Sequence, residues 1–400
     1  MSKNVTATPQ GLYPEKDIET LTLEVLNPYA FRQNAKTLRN LTVPDQLFVG
    51  RFEVFDLMRG LALVLMILSH TTKGLLNWEQ YPAWGLVPIH LITKFSSSLF
   101  ILTFGATLAI AYLPHVGTRL WPKKRNQLWL RAIEVLFWYK VLTIVQMFQV
   151  YPREQIVDAL LFKTFPDFVE VLGFYSIALM WLPLFLPLWA RIHWLVKPLL
   201  AIGLVYAQFR LVNFDFWGNI QLKALLVEHP GYFTFGQISR GPLVLGGLLI
   251  GQLFLFLRSE SWGRFYLGLL LLSLGGLLLG AFYGLVFENL TNTFFALAKN
   301  GGKHPPAPQF MLFSVGGALV LMALSLFGGK ILSKILMPFT LIGKFSLQTF
   351  VFHIAVIFIF YRYLFDLRHN ISYDSTLLLT GLLIILTTLW AGILKWRKSV

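Results

Sequence analysis

The chain of 400 residues is 56% hydrophobic and only 13% charged, too apolar to give a soluble protein of this size a water-facing surface. Its net charge of +15 would suggest nucleic acid in a soluble protein, but most basic residues sit in short loops between long apolar runs, where the positive-inside rule accounts for them. The absence of cysteine excludes disulfides, thiolate metal sites and a cysteine nucleophile, and the length of the apolar runs excludes a transmembrane barrel.

Residues 1–50 are polar, mixed in charge and broken by Pro9, Pro14, Pro28 and Pro44. No apolar core follows a basic start, so this stretch reads as a cytoplasmic tail rather than a signal peptide. Ten apolar segments follow, at about 53–73, 86–112, 128–150, 168–190, 194–210, 236–257, 264–287, 308–328, 341–365 and 375–394. The expected fold is all-α, a polytopic membrane bundle of about ten transmembrane helices forming one domain over residues 51–400. Residues 211–235, with Asp215, Lys223, Glu228 and His229, form the longest polar connection.

Alternate loops are basic: Arg119, Lys123, Lys124 and Arg125; Arg191 and Lys197; Arg258 and Arg264; Lys330 and Lys334; Lys395, Arg397 and Lys398. These mark the cytoplasmic side, and an even number of spans puts both termini there. Trp78, Tyr81, Trp84, Trp129, Trp189 and Trp390 lie near segment ends and read as interfacial anchors. The glycines of Gly246-Gly247-x-x-x-Gly251 read as close helix packing.

Ionisable side chains inside hydrocarbon are costly, which makes each a functional candidate. The first segment carries Phe55-Asp56-Leu57-Met58-Arg59-Gly60 and ends in Ser69-His70. At about 100° and 1.5 Å per residue, Arg59 and His70 lie within roughly 20° on the helix face and about 16 Å apart. Asp56 and Arg59 are spaced i, i+3 and can pair. This geometry suits a donor that enters from the cytoplasm, its anionic part held by Arg59, while a neutral His70 takes a proton from a hydroxyl or amine. The competing reading is that both side chains snorkel to the two interfaces.

An Asp-x-x-Arg-Gly start with a histidine eleven residues after the arginine resembles the membrane acyltransferase superfamily. Its branches are acyltransferase family three, the OpgC-type glucan succinyltransferases and the heparan-α-glucosaminide N-acetyltransferase-like proteins. Ser98-Leu99-Phe100-Ile101-Leu102-Thr103-Phe104-Gly105 is similar to their Phe-x-Phe-x-Ser-Gly helix, and Phe168-Val169-Glu170-Val171-Leu172-Gly173-Phe174-Tyr175 to the start of their fourth helix. Lys303-His304-Pro305-Pro306-Ala307-Pro308 is like a Tyr-Pro-Pro-Ser loop, and Gly343-Lys344-Phe345-Ser346-Leu347 followed by Phe352-His353 is like a Gly-Lys/Arg-x-Ser-Leu…His helix. The resemblance implies an acyl group, acetyl or succinyl, moving from cytoplasmic acyl-CoA to a hydroxyl or amine of an envelope carbohydrate, in a bacterial inner membrane. It implies His70 as catalytic base or acyl carrier and His353 as its partner, the alternative for His353 being a buried, hydrogen-bonded histidine. The acyl-CoA side would be Arg59, Asp56 and Arg131 with Lys124 and Arg125 on the CoA phosphates; topology and an Arg131–Glu134 pair are the plainer explanations.

For the acceptor, Arg240 inside the sixth segment must be paired or wetted, while His304, Glu288 and His90 lie at outer loops or helix ends. Headgroup contact explains Glu170 and Glu288 equally well. The expected partners are lipid and a carbohydrate acceptor, with no metal and no nucleic acid. No phosphate-binding loop, dinucleotide fingerprint or nucleophile elbow is present. The rival readings are a transporter or flippase for a glycan or lipid-linked substrate, and a structural subunit of an envelope-synthesis complex.

Overall fold

Backbone groups in lipid are satisfied only within helices, so long apolar runs fold as helices. The computed structural model describes residues 52–148, 150–257 and 262–398; the expected tail of residues 1–50 lies outside them. The first run is α1 (Glu53–Leu75). A wide turn at Gly85–His90 leads into α2 (Phe95–Tyr112), followed by α3 (Trp121–Met147), the short α4 (Arg153–Leu160), α5 (Glu170–Arg191) and α6 (Val196–Leu211). Then come α7 (Ile220–Val227), α8 (Gln237–Leu257), α9 (Gly263–Val286), α10 (Leu290–Ala298) and α11 (Pro308–Ile335). The chain ends with α12 (Met337–Lys344), α13 (Ser346–Ala355), which continues as a wide helix over Val356–Leu364, and α14 (Tyr373–Arg397).

Among the described residues, eight helical stretches are long and apolar enough to cross a bilayer: α1, Gly85–His115, α5, α8, Gly263–Ala298, α11, Ser346–Leu364 and α14. The other two expected segments are helical as well. The 27 residues of α3 would span the bilayer, but Lys123, Lys124, Arg125, Arg131, Glu134 and Lys140 dilute its hydropathy. The 16 residues of α6 rise only about 24 Å, short of a ~30 Å hydrocarbon core. The expected polar connection at 211–235 is partly helical through α7, and it returns a carboxylate, Glu228, to the interior.

Helix α1 is central: it touches α2, α11, α12, α13 and α14. Within its apolar window 61% of residues are buried, against 22% for Gly263–Ala298 and for α14, which face outward. Close crossings rest on small residues. A side chain on Gly60 would overlap the Phe339 carbonyl, and one on Gly343 would overlap that of Asp56, so α1 and α12 meet backbone to backbone. Helices α2 and α8 meet likewise through Gly105, Gly247 and Gly251, as the glycine spacing suggests.

The bundle has two distinguishable ends. At the first, Asp56 meets Gly343, and Lys398, just past α14, lies 5.2 Å over the Phe345 ring. The described domain therefore begins and ends on one side, here the terminal end. At the opposite end the His369 backbone N–H donates to the Leu75 carbonyl at 2.6 Å, the Gln80 amide donates to the His369 and Ile371 carbonyls, and Lys94 donates to Asn300.

The crossing yields a test. Gly60→Ala should lower stability by about 1–3 kcal/mol through overpacking against Phe339. Gly276→Ala, on the outward face of α9 with open space around it, should be neutral or slightly stabilising. Thermal unfolding of both variants in detergent measures the difference, and equal effects would contradict the crossing.

Candidate active site

About one and a half turns before its end, α1 presents His70 to α13. Nδ1 of His70 lies 3.1 Å from Nε2 of His353, and the rings are nearly coplanar, 15° apart, with centroids separated by 5.4 Å. That centroid separation matches the nitrogen–nitrogen distance plus one ring radius at each end. The contact therefore runs in the ring planes, where an N–H and a lone pair meet.

The partners decide the tautomers. Nδ1 of His353 lies 3.1 Å from the Thr349 carbonyl, which can only accept. Neutral His353 thus carries its proton on Nδ1, leaving Nε2 as an acceptor. His70 must then donate from Nδ1, and its own Nε2 keeps a free lone pair. His353 is completely buried among α13 neighbours and is held by a fixed backbone group. Phe168 and Phe350 pack on His70 in edge-to-face arrangement, with ring centroids 5.5 and 6.1 Å away. Phe168 adopts φ 64°, a conformation uncommon for an aromatic residue, at the point where its ring meets His70.

His70 opens on a cavity at the opposite end. Its charged lining is Lys73, Lys94, Asp167, Glu170 and Lys303, and Ser69, Ser96, Ser97 and Asn300 add neutral polar groups. The charges come from four places in the chain: Lys73 from α1, Lys94 just before α2, Asp167 and Glu170 from the entry to α5 and its first turn, and Lys303 from the 299–307 loop. Lys73 pairs with Asp167 and Lys303 with Glu170. Lys94, 5% exposed, donates to Asn300 Oδ1 at 2.6 Å. Oε2 of Glu170 is buried without a hydrogen-bond partner.

Behind Lys303 lies a second charged layer. Arg240 and Glu228 are both fully buried and pair through Nε and Oε1 at 2.8 Å. Arg240 also donates to the Lys303 carbonyl at 2.7 Å and covers the Phe235 ring. His304 meets Glu228 Oε2 through Nδ1 at 2.6 Å, and its Nε2 stands 3.8 Å from Glu170. Burial alone would push the Glu228 carboxyl up, but Arg240 and then His304 outweigh it and hold it below the usual carboxylate range. Burial likewise opposes charge on His304; Glu228, with Glu170 in support, overcomes it and raises the imidazole above its ordinary value. The whole layer fixes the 299–307 loop, and with it the ammonium of Lys303.

The residues singled out from the sequence separate by location. His70 and His353 meet each other at the cavity. Arg240 and His304 stand one layer behind the cavity and hold its wall rather than line it. His90 is buried against Tyr81 and Tyr373, and Glu288 is exposed at the end of α9; neither lines the cavity. Arg59 and Asp56 form a pair toward the terminal end, well away from the cavity. Arg131 pairs with Glu134 at 2.6 Å on a half-exposed face, Arg125 lies 4.8 Å over Trp129, and Lys124 lies in the same first turns of α3.

Sequence reasoning missed Lys73, Lys94 and Asp167. Lys73 had a signal, since it follows His70 by three residues on the same helix face. Asp167 had none, being a loop carboxylate whose partner lies some ninety positions away.

The family model described as acyltransferase domain, acyltransferase family 3, matches residues 52–396, which include every residue of the site. Comparison with curated proteins gives no significant match.

The charged layer makes stability depend on pH. A raised histidine stabilises fully below its unfolded value of 6.5, and that contribution is lost as pH rises through the folded value. The unfolding temperature should therefore fall as pH is raised from about 6.5, and Glu228→Gln should flatten this part of the curve. Parallel curves for the two proteins would mean that Glu228 does not hold a charge on His304.

Proposed function

The chain belongs to that acyltransferase family and is an integral membrane protein, and from this premise we propose an acyl-CoA-dependent transferase that acylates a hydroxyl or amine of an envelope carbohydrate. The observation that carries the reading is the Thr349–His353–His70 relay, which leaves one free lone pair, on His70 Nε2, at a polar cavity. In the proposed reaction His70 Nε2 takes the proton of the acceptor hydroxyl as its oxygen attacks the thioester carbonyl carbon. The carbon–sulfur bond then breaks, and the departing sulfur takes the proton from His70. While His70 is charged, its Nδ1–H points at the acceptor nitrogen of neutral His353, which favours the imidazolium. Thr349 and His353 thus do for His70 what an orienting carboxylate does for other catalytic histidines. The same lone pair would serve a two-step route through acyl-His70.

The donor end of the proposal rests on α1. Arg59 lies about 16 Å from His70 along one continuous helix, close to the end where the described domain begins and ends. The positive-inside rule assigns that end to the cytoplasm, where acyl-CoA is made. Arg59, with Asp56 fixing its orientation, would hold an anionic part of the donor; Arg131, Lys124 and Arg125 would extend that electrostatic attraction along α3. The opposite end, where the cavity lies, would face the acceptor. A bacterial inner membrane is the proposed setting.

Binding and turnover test this separately. Acetyl-CoA or succinyl-CoA should raise the unfolding temperature of the purified protein, and Arg59→Ala should weaken that shift. His70→Ala should keep the shift but lose acyl transfer by ~10²–10⁴-fold. His353→Ala should lower kcat with little change in KM for the CoA ester and alter the pH profile. Absence of any shift with either CoA ester would sink the donor assignment and favour a transporter.

A further inference from the structure

The cavity holds three lysines and only two carboxylates. Asp167 is taken by Lys73 and Glu170 by Lys303. Lys94 is 5% exposed, and its ammonium donates to a neutral amide oxygen of Asn300 at 2.6 Å. Among the described residues no carboxylate lies within ion-pair distance of it. Its backbone is fixed too, because the Ser314 hydroxyl donates to the Lys94 carbonyl at 2.6 Å. A buried ammonium beside two other lysines is costly unless an anion joins it. The enclosing groups are neutral or already paired, so an anion that keeps Lys94 charged would have to come with a ligand.

We propose that Lys94 anchors an anionic substituent of the acyl acceptor, so that the acceptor is an acidic sugar bearing a carboxylate or phosphate near the hydroxyl that faces His70. The location selects the acceptor over the donor. Lys94 is at the cavity end of α2, and Asn300, which aims it, belongs to the 299–307 loop on the side opposite the ends of the described domain. Arg59, the cation assigned to the donor, is at the other end. The rest of the lining suits a sugar: Oε2 of Glu170 is a buried acceptor without a partner, and Ser96 and Ser97 add hydroxyls. A carboxylate on Lys94 would complete the third ion pair and leave the cavity neutral.

This inference rests on the acyltransferase reading only for the word acceptor; the anion site can be tested without turnover. Calorimetric titration of the detergent-purified full chain with D-glucuronate, D-glucose 6-phosphate and D-glucose reads it directly. The two acidic sugars should bind at least tenfold more tightly than glucose. Lys94→Met should erase the difference, Lys94→Arg should keep it, and His70→Ala should keep it while turnover is lost. Equal binding of all three sugars, no binding of any, or an unchanged preference in Lys94→Met would overturn the proposal. If Lys94→Met instead removes a preference for succinyl-CoA over acetyl-CoA, the anion belongs to the donor and the acceptor assignment falls. A charge preference that persists where no CoA ester binds would leave the Lys94 site standing and remove the acyl-CoA reading alone.

Discussion

A charge carried into hydrocarbon must meet its partner there, because water is not at hand to solvate it and the desolvation cost is several kcal/mol. The opposite end of this bundle obeys that constraint with Arg240 against Glu228, Lys303 against Glu170 and Lys73 against Asp167. Two of the pairs join distant stretches of chain, and the third ties α8 back to the end of α7. Arg240 lies in the first turn of α8 while Glu228 directly follows α7 and begins the link to α8; Glu170 begins α5 while Lys303 belongs to the loop before α11. The pairing therefore folds two long connections inward and builds a polar chamber where bare helix ends would otherwise stand. Without it the 299–307 loop would have no fixed place, and Lys303 would not reach the cavity.

The same constraint explains what could be read from the sequence. Charges within one helix turn or a few turns were legible, because helix geometry is known in advance: Asp56 with Arg59, Arg131 with Glu134, and the eleven-residue spacing from Arg59 to His70. The helical bundle was legible for the same reason, since long apolar runs have one solution in lipid. The long-range pairs were not. Arg240 could be seen to need a partner, yet nothing local identified Glu228 as that partner, or showed that the pair would stand behind the site. Treating residues 211–235 as a polar connection concealed a core carboxylate, because hydropathy averages over a window and Glu228 is buried singly.

His70 and His353 occupy an intermediate position. Each was marked by its place in a motif, but only the fold shows what the pairing does. The Thr349 carbonyl is an acceptor without choice, and that one fact propagates through two rings to determine where the free lone pair lies. A histidine whose Nδ1 faced water would have no such preference. The relay also needs both rings in one plane, which the surrounding Phe168 and Phe350 edges help to maintain.

Helix α1 links these features mechanically. Its glycine crossing with α12 sets the height of α1 in the bundle, since neither Gly60 nor Gly343 can accept a side chain without displacing the partner backbone. Because α12 continues almost directly into α13, the crossing that positions α1 also positions the helix carrying Thr349 and His353. Arg59, Gly60 and His70 therefore form one rigid measure: the glycine sets the register, and the two side chains mark fixed heights on either side of it. A one-residue slip of α1 would rotate His70 by about 100° and carry it off the His353 plane. The arginine–glycine step and the histidine eleven residues later are thus one constraint, in which backbone contact at one end decides ring geometry at the other.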